Sequence, residues 1–310
     1  MAIPVQAVRH VNINCSQLES AQKFYENVVG LNTEAHTGPA PQDGTKLGMG
    51  PHMQWDAFML NDHLSFHGTA LDLLEWKTPL ITGEPYQQPH HLGFSRLAFK
   101  VPEIALQCER LADSNVNCFS APEDVLIDSD RDLRRRFFCF SGPDDMVLEF
   151  FDHDGPVEMG YVNVNCSNIE RSFAWYCDNL GFQTSEPLLD HEMNGLVYGA
   201  AGSVHFESTL LHIPGEEHRF GVQLTEWTNP KPIGQPYTEM NNLGLYRIAL
   251  AVDDCQACYE VLLQNGVNCP TTPVWLDMGP DLPIDGVWAL FFFDPDGACI
   301  ELIQNPELNA

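Results

Sequence analysis

Ion-pairing side chains recur in this sequence at a fixed spacing of 151 residues. Arg96 lies in the segment Leu92-Gly-Phe-Ser-Arg96, and Arg247 lies in the matching segment Leu243-Gly-Leu-Tyr-Arg247. Glu75 precedes a tryptophan, and so does Glu226. A guanidinium beside carboxylates forms charge-assisted and often bidentate hydrogen bonds. The pattern therefore predicts an arginine–glutamate network in each half of the chain.

The spacing belongs to an internal duplication. The segment His10-Val-Asn-Ile-Asn-Cys15 returns as Tyr161-Val-Asn-Val-Asn-Cys166, and Tyr86 returns as Tyr237. A repeat that keeps its register over this distance means that both halves share one architecture. The difference between His10 and Tyr161 is the sharpest one, because an imidazole can take up and release a proton near neutral pH. We therefore favour the first half as the reactive site.

Composition narrows the class of protein. The chain has 310 residues, of which 44% are hydrophobic, and this is enough for two domains with buried cores. Its formal net charge of −28 would repel a phosphate backbone, so we expect no binding to nucleic acid. We see no signal-peptide pattern and no apolar run of membrane-spanning length, and we expect a cytoplasmic protein with reduced cysteines. The expected partner is a small-molecule substrate or ligand, and an oligomer is possible.

The order of the predicted elements divides the chain into four units. A strand over residues 8–14 precedes a helix that begins with the capping box of Ser16 and Glu19. The second copy has the same box at Ser167 and Glu170, and glycines follow both helices. Three strands come next, then a link rich in proline and glycine over residues 78–85, and the order restarts. Asp154-Gly-Pro156 marks the boundary between the halves.

Three other groups of residues carry weaker signals. Cys255-Gln-Ala-Cys258 could bind a metal or act in redox chemistry, but no second CxxC accompanies it, and helix packing is favoured. The basic run from Arg131 to Arg136 predicts a solvated turn, with a clamp for a ligand carboxylate as the alternative. Methionine and aromatic residues could line an apolar cup for an aromatic ligand, or could pack as ordinary strand residues. They include Met49, Met53, Trp55, Trp275 and Trp288.

One strand, one helix and three strands, repeated four times, resemble the vicinal oxygen chelate superfamily of glyoxalase, bleomycin-resistance and extradiol dioxygenase proteins. The most specific stretches are His10–Leu31, Asn163–Phe182 and the segment from Asp294 to Glu301. The resemblance implies an α+β fold of four βαβββ modules paired into two half-barrel (glyoxalase-like) domains. We expect residues 1–154 (modules 1 and 2) to form one domain and residues 155–310 (modules 3 and 4) the other. Pairing of modules across the halves is the alternative.

The resemblance also implies which residues form the sites. Each module of such a protein offers one residue near the start of its first strand and one carboxylate on its last strand. Carried over by position, the candidate catalytic residues of the first half are His10, Glu75, Arg96 and Glu149. Those of a second pseudo-site are Tyr161, Glu226, Arg247 and Glu301.

The resemblance raises the question of whether this protein binds a divalent metal as a cofactor. A metal site of the family type needs two first-strand His or Gln ligands and at least one Glu. His10 is the only usual ligand among the four first-strand positions, because an arginine has no lone pair to give. His10, Glu75 and Glu149 could still hold an ion, although Arg96 would oppose it. A divalent metal is thus possible but not favoured.

Without a metal, two interpretations of the arginine–glutamate pairs stay open. The pairs either only hold strands together, or one carboxylate acts as a general base with His10 or Tyr161 as the acid partner. The favoured hypothesis is a glyoxalase-like or dioxygenase-like enzyme with lyase, isomerase or oxygenase chemistry. Its substrate would be a small, largely apolar molecule that bears carbonyl or hydroxyl groups. The alternative is a non-catalytic protein that sequesters a small molecule, as bleomycin-resistance proteins do.

Overall fold

The computed structural model describes residues 1–128, 132–184, 186–216, 219–280, 282 and 284–304. These residues form four units, each with one strand, one helix and then further strands. The first unit contains β1 (Ala7–Asn14), α1 (Leu18–Phe24), β2 (Asn32–Thr37), β3 (Gln42–Gly44), β4 (Gly50–Asn61) and β5 (Ala70–Thr78). The second contains β6 (Gly93–Val101), α2 (Ile104–Asp113), β7 (Glu123–Asp128), β8 (Leu133–Ser141) and β9 (Val147–Asp152).

The second half of the chain repeats this order. The third unit contains β10 (Glu158–Asn165), α3 (Ile169–Leu180), β11 (Gln183–Thr184), β12 (Leu189–Asn194), β13 (Ser203–His212) and β14 (Gly221–Asn229). The fourth contains β15 (Gly244–Ala251), α4 (Cys255–Gln264), β16 (Val274–Asp277), β17 (Gly286–Phe293) and β18 (Cys299–Gln304). Within the described ranges, no helix is long and apolar enough to cross a membrane.

The helices begin differently from the prediction. Ser16 and Ser167 do not cap α1 and α3, because their hydroxyls and backbone amides contact the carboxylates of Asp144 and Asp296 instead. The capping residue of α3 is Asn168, whose side chain accepts a hydrogen bond from the third amide beyond it. Both serines therefore tie the start of a helix to a loop of another unit.

The units assemble into two curled nine-stranded sheets. The sheet of units 1 and 4, called sheet 1/4 below, has the order β16-β17-β18-β15-β1-β5-β4-β2, and β3 pairs with β4. The sheet of units 2 and 3, called sheet 2/3, has the order β11-β13-β14-β10-β6-β9-β8-β7, and β12 pairs with β13. The predicted α+β fold of four βαβββ modules in two half-barrels is confirmed.

The predicted pairing of modules 1 with 2 and of modules 3 with 4 is wrong. β1 runs antiparallel to β15 of unit 4, and β6 runs antiparallel to β10 of unit 3. The links over residues 79–92 and 230–243 lie against each other, with the rings of Tyr86 and Tyr237 stacked 4.1 Å apart. These links carry the chain from one sheet to the other. Strand alternation is the same in all four units, so the local sequence does not show which units pair.

Each sheet buries both of its faces, and the strand alternation assigns residues to them. One face of both sheets packs with the helices into one large core, which contains Ile13, Tyr25, Phe99, Phe150 and Tyr176. Cys255 and Cys258 of α4 lie in this core as buried thiols, as the helix-packing interpretation predicts. The opposite, concave face of each sheet carries its own apolar cluster, and we call these faces the 1/4 cup and the 2/3 cup.

Candidate functional site

Each cup has a floor of four positions related by a local two-fold axis. In the 1/4 cup the axis passes between the paired residues Val11 and Ile248. His10 and Arg247 each precede this pair by one residue, so they occupy equivalent positions. The parallel registers of Asn12 with Asp72 and of Ala249 with Glu301 make the two carboxylates equivalent as well. The floor of the 1/4 cup is therefore formed by His10, Arg247, Asp72 and Glu301.

Arg247 joins the two carboxylates of this floor. Its Nε donates to Glu301 Oε2 at 2.6 Å, and its Nη2 donates to Asp72 Oδ2 at 3.3 Å. Asp72 Oδ2 also accepts from Asn12 Nδ2 at 3.1 Å. His10 Nε2 lies 3.5 Å from Glu301 Oε2 and 3.8 Å from Asp72 Oδ2, which is too far for good hydrogen bonds. All four floor side chains are at least nine-tenths buried.

Three buried polar atoms of the 1/4 cup have no hydrogen-bond partner. They are His10 Nε2, Asn12 Oδ1 and Arg247 Nη1. Leaving a buried polar group unpaired costs about 1–3 kcal/mol, so such groups are rare unless water or a ligand satisfies them. Two of these atoms can donate and one accepts, and a ligand with neighbouring oxygen atoms would satisfy all three.

The charges of this floor do not balance when His10 is neutral. Arg247 supplies one positive charge, whereas Asp72 and Glu301 supply two negative ones. Burial alone would raise the pKa of Glu301, but the charge and hydrogen bond of Arg247, with the His10 ring close by, outweigh burial and lower this pKa. The pKa of Arg247 would fall through burial, but the two carboxylates raise it above its ordinary value. The cup therefore holds one more carboxylate than its arginine neutralises, and His10 lies beside it.

The floor of the 2/3 cup has the same geometry and different residues. Tyr161 and Arg96 precede the central pair of Val162 with Leu97, and Gln223 and Glu149 take the two remaining positions. The floor of the 2/3 cup is therefore formed by Tyr161, Arg96, Gln223 and Glu149.

The buried polar atoms of this second floor are paired. Arg96 Nε donates to Glu149 Oε2 at 2.8 Å, and Arg96 Nη2 donates to Gln223 Oε1 at 2.7 Å. Tyr161 donates its hydroxyl to Glu149 Oε1, and burial raises the pKa of this tyrosine well above its ordinary value. One arginine faces one carboxylate, so charge is balanced. Of the buried side-chain atoms that the structure describes in this floor, none lacks a hydrogen-bond partner.

A pocket lies above the floor of the 2/3 cup. Its empty volume is about 350 Å³, part of it open to solvent. It is lined by Val125, Ile127, Arg135, Glu186, Pro187, Leu189, His191, Tyr198, Phe206, Ser208 and Gln223. Burial lowers the pKa of His191 to about 4, so this histidine is neutral at pH 7, and its Nε2 lies 3.0 Å from Ser208 Oγ. The pocket is lined by apolar and polar groups in about equal measure.

The basic run is not the solvated turn that was predicted, because residues 133–141 form β8. Arg134 and Arg136 are about half exposed, whereas the side chain of Arg135 is only 14% exposed. Its guanidinium lies 4.7 Å from the ring of Phe151 and donates to Glu186 Oε1 at 2.6 Å. Arg131 lies outside the described residues. Strand alternation turns Arg135 into the cup while its two neighbours face away.

The structure divides the predicted catalytic set between three places. His10 lies in the 1/4 cup, Arg96 and Glu149 lie in the 2/3 cup, and Glu75 lies in neither. The second set is divided in the same way, since Arg247 and Glu301 join His10 while Tyr161 joins Glu149. Each cup does receive an arginine and a glutamate, as predicted. In each cup, however, the four floor residues come from both halves of the chain.

Glu75 and Glu226 are on the helix-bearing face of their strands. Glu75 Oε2 accepts a hydrogen bond from the amide of Leu18 at 3.0 Å, at the start of α1. Glu226 Oε2 accepts from the amide of Ile169 at 2.8 Å, at the start of α3. A carboxylate there satisfies a free amide and complements the helix dipole. Both residues therefore stabilise helices and do not reach a cup.

Asp72 and Gln223 are the floor residues that sequence reasoning missed. They lie three residues before Glu75 and Glu226, and an odd shift along a strand moves a side chain to the other face. A usable signal was present, because Asp72 shares its alternation with the buried cup residues Leu74 and Trp76.

Apolar residues close over the floor of the 1/4 cup. Met49, Met53, Trp55, Trp76 and Phe291 are all less than a tenth exposed and belong to one cluster. This agrees with the interpretation that methionine and aromatic residues line a cup. Trp275 and Trp288 are exceptions, because they lie on the other face of sheet 1/4 with about two-fifths of each side chain exposed.

The residues of the 1/4 cup do not fit a divalent metal as they stand. The predicted ligand set of His10, Glu75 and Glu149 is wrong, because Glu75 faces the helices and Glu149 lies in the other sheet. The possible ligands that do surround the floor are His10, Asp72 and Glu301, and the guanidinium of Arg247 engages both carboxylates. Across the described parts of the chain, no three His, Cys, Asp or Glu side chains are grouped so as to hold a metal ion.

Comparisons with known proteins agree with this architecture. Residues 158–302 match the model of the Glyoxalase/Bleomycin resistance protein/Dioxygenase superfamily. The uncharacterised protein YwkD of Bacillus subtilis is 25% identical over 144 residues, which cover 46% of this chain and 94% of that protein. The resemblance inferred from the sequence is therefore confirmed.

Solved structures match nearly the whole chain. Glyoxalase I from Zea mays superposes with a TM-score of 0.66 and 16% identity, over 99% of this chain and 94% of that one. A provisionally assigned dioxygenase from Bacillus subtilis superposes with a TM-score of 0.60 and 14% identity, over 98% and 87% of the two chains. At these identities the comparisons establish the fold alone.

Proposed function

We propose that this chain, which has the fold of the glyoxalase, bleomycin-resistance and dioxygenase proteins, is an isomerase or lyase that moves a proton in the 1/4 cup. Its substrate is a small and largely apolar molecule with neighbouring carbonyl and hydroxyl oxygens. The observation that carries the proposal is the set of three unpartnered buried atoms on His10, Asn12 and Arg247. They lie in the 1/4 cup, beside two carboxylates that share one arginine. The 2/3 cup, which has the same strand geometry, has no such set among its described atoms.

Each floor residue has a role in this reaction. His10 removes a proton from the hydroxyl-bearing carbon next to the carbonyl and returns it to the former carbonyl carbon, while the hydroxyl proton passes to the former carbonyl oxygen, so that no electrons are gained or lost. Asp72 and Glu301 stabilise the imidazolium that forms between the two steps. Arg247 Nη1 donates to the oxygen on which negative charge develops, and Asn12 Oδ1 accepts from the substrate hydroxyl. Trp55, Trp76 and Phe291 exclude water and contact the apolar part of the substrate.

Deuterium incorporation from solvent tests this proposal without knowledge of the natural substrate. The probe is 2-hydroxyacetophenone, an aromatic hydroxyketone, incubated with the protein in D₂O and followed by proton NMR. We expect exchange at the carbon next to the carbonyl, and we expect His10→Gln to lower its rate by at least about 100-fold. Tyr161→Phe, at the equivalent position of the 2/3 cup, is the matched control and should exchange at the wild-type rate. Exchange that survives in His10→Gln would refute the assignment.

The pocket of the 2/3 cup favours a second candidate, a protein that binds a small molecule without converting it. The buried polar atoms of its floor are paired, its arginine faces one carboxylate, and its walls combine apolar residues with polar ones. Calorimetric titration with the same hydroxyketone distinguishes the candidates. Binding that is lost in Leu189→Glu but kept in His10→Gln, with no deuterium exchange in the wild type, would favour the binding protein.

A further inference from the structure

The imidazole of His10 lies near both carboxylates of the 1/4 floor. His10 Nε2 is 3.5 Å from Glu301 Oε2 and 3.8 Å from Asp72 Oδ2. Ligands that bind one tetrahedral ion at about 2.1 Å are separated by about 3.4 Å from one another. These two separations are close to that ligand spacing, but the described residues contain no group of three that could hold a metal ion, and a guanidinium engages both carboxylates.

We infer that Arg247 is the resident cation of the 1/4 cup and that its guanidinium takes the place of a divalent ion. Arg247 is the symmetry equivalent of His10, so its side chain enters the floor from the position where a second imidazole ligand would stand. It donates to both carboxylates at 2.6 and 3.3 Å. Because an arginine cannot lose its proton in a protein, this charge stays in the floor.

A metal ion would have to compete with this guanidinium. The ion would need the oxygens that Arg247 already engages, and two positive charges a few ångströms apart repel strongly away from water. The Arg247 side chain is only 8% exposed, and its guanidinium lies 5.9 Å from the ring of Phe291. The guanidinium is therefore held inside the closed cup, beside the two carboxylates.

The arginine also determines the chemistry of the ligand. Its Nη1 is an unpartnered donor of the floor, and a guanidinium favours a ligand oxygen that carries partial negative charge. The 1/4 cup thus offers one arginine N–H to a ligand oxygen, with His10 at its side. This inference concerns the cation of the site, and it holds whether or not the protein turns a substrate over.

The 2/3 cup provides a matched control within the same chain. Arg96 occupies the position of Arg247, but Tyr161 stands where His10 would be and Gln223 stands where Asp72 would be. Removing Arg96 would therefore leave a single carboxylate, Glu149, among weak ligands. Equivalent substitutions in the two cups should have unequal effects on metal binding.

Cobalt titration tests the inference on the full chain. We expect wild-type protein to show no visible absorption of bound Co²⁺. Arg247→His should bind Co²⁺ on the order of 100-fold more tightly, with the intense absorption of a four-coordinate ion, because it adds an imidazole and removes the competing charge. The double variant with Glu301→Gln should lose this absorption, and Arg96→His should not gain it. A folded Arg247→His protein that binds no Co²⁺ would overturn the inference.

Wild-type protein gives a second test that does not need the variant to fold. The proton NMR signal of the His10 ring, assigned with His10→Gln, should not be broadened by Co²⁺. Specific broadening of that signal would overturn the inference, and so would one metal ion per purified chain that disappears in Glu301→Gln. An unbroadened signal together with metal content far below one ion per chain supports it.

Discussion

Asp72 and Gln223 occupy the same position in the two cups, and each accepts a hydrogen bond from the arginine of a unit in the opposite half of the chain. Asp72 Oδ2 lies 3.3 Å from Nη2 of Arg247, and Gln223 Oε1 lies 2.7 Å from Nη2 of Arg96. One cup thus has a second carboxylate where the other has a neutral amide. This single difference leaves the 1/4 floor with an unbalanced negative charge and the 2/3 floor without one.

The difference predicts unequal costs for removing a carboxylate. Glu149→Gln should lower the free energy of unfolding by about 3 kcal/mol, because Arg96 would be buried with no carboxylate in contact. Glu301→Gln should cost about 1–2 kcal/mol less than that, because Asp72 still contacts Arg247. Urea unfolding at pH 7 measures both values.

Asp72→Asn provides the control for this comparison. Combined with Glu301→Gln, it removes both carboxylates from Arg247, so the double variant should lose more stability than the sum of the two single variants. Equal costs for Glu149→Gln and Glu301→Gln, or additive effects in the double variant, would contradict the charge arrangement.

A second prediction concerns Glu75 and Glu226, which lie at helix starts. Glu75→Ala and Glu226→Ala should each lower the free energy of unfolding by about 1 kcal/mol through loss of the bond to the first helical amide. Neither should change deuterium exchange in the hydroxyketone probe. Lys77→Ala is the control for the ion pair that Glu75 also makes at 2.6 Å. A loss of exchange in Glu75→Ala alone would place this carboxylate in the reaction after all.

A third prediction concerns two buried asparagines, which we expect to hold the links over residues 79–92 and 230–243 in place. Asn14 Nδ2 donates to the carbonyls of Met240 and Asn242, and Asn165 Nδ2 donates to those of Pro89 and His91. Asn14→Ala and Asn165→Ala should each cost about 3 kcal/mol, because several buried groups lose their partners at once.

The same asparagines also accept hydrogen bonds from tryptophan rings. Trp76 Nε1 donates to Asn14 Oδ1, and Trp227 Nε1 donates to Asn165 Oδ1. Limited proteolysis should cut the link over residues 230–243 faster in Asn14→Ala and the link over residues 79–92 faster in Asn165→Ala. Cleavage of both links at the wild-type rate would show that the asparagines do not hold them.

A fourth prediction follows from Asp294, which lies in the turn before β18. Burial raises the pKa of Asp294 to about 6, although it accepts hydrogen bonds from the amides of Asp296, Gly297 and Ala298. The folded state thus binds this proton more tightly than the unfolded state, whose pKa is near 3.8. The cost of the charged form is therefore absent below about pH 4 and complete above about pH 6.

Asp294→Asn removes this titration and keeps an oxygen for the amides. Relative to wild type, its free energy of unfolding should rise between pH 4 and pH 7, by up to about 3 kcal/mol at 1.36 kcal/mol per pKa unit. Tyr176 donates its hydroxyl to Asp294 Oδ2 at 3.3 Å, and in the variant its oxygen would instead accept from the new amide group. Urea unfolding at several pH values measures the difference. A difference that does not change with pH would contradict the raised pKa.

Much of the fold was predictable because strand alternation is a local property and because the repeat is visible when the two halves of the sequence are compared. The segments that begin at His10 and Tyr161 are first strands of equivalent units, and Arg96 and Arg247 do enter the floors. His10 was identified as the distinctive residue, and it is one of the unpartnered groups in the 1/4 cup. The error at Glu75 arose from choosing the wrong face of β5, where a shift of three residues reverses the direction of the side chain.

The amino-acid sequence by itself determined the four units, their elements and the kinds of side chain that each floor receives. Period-two alternation and glycine positions act within a few residues, so these features need no knowledge of distant segments. Only the tertiary structure decided that unit 1 joins unit 4, and therefore that His10 shares a floor with Arg247 and Glu301. This pairing depends on the contact between the links over residues 79–92 and 230–243. They are about 150 residues apart in the sequence, so no local pattern predicts their contact.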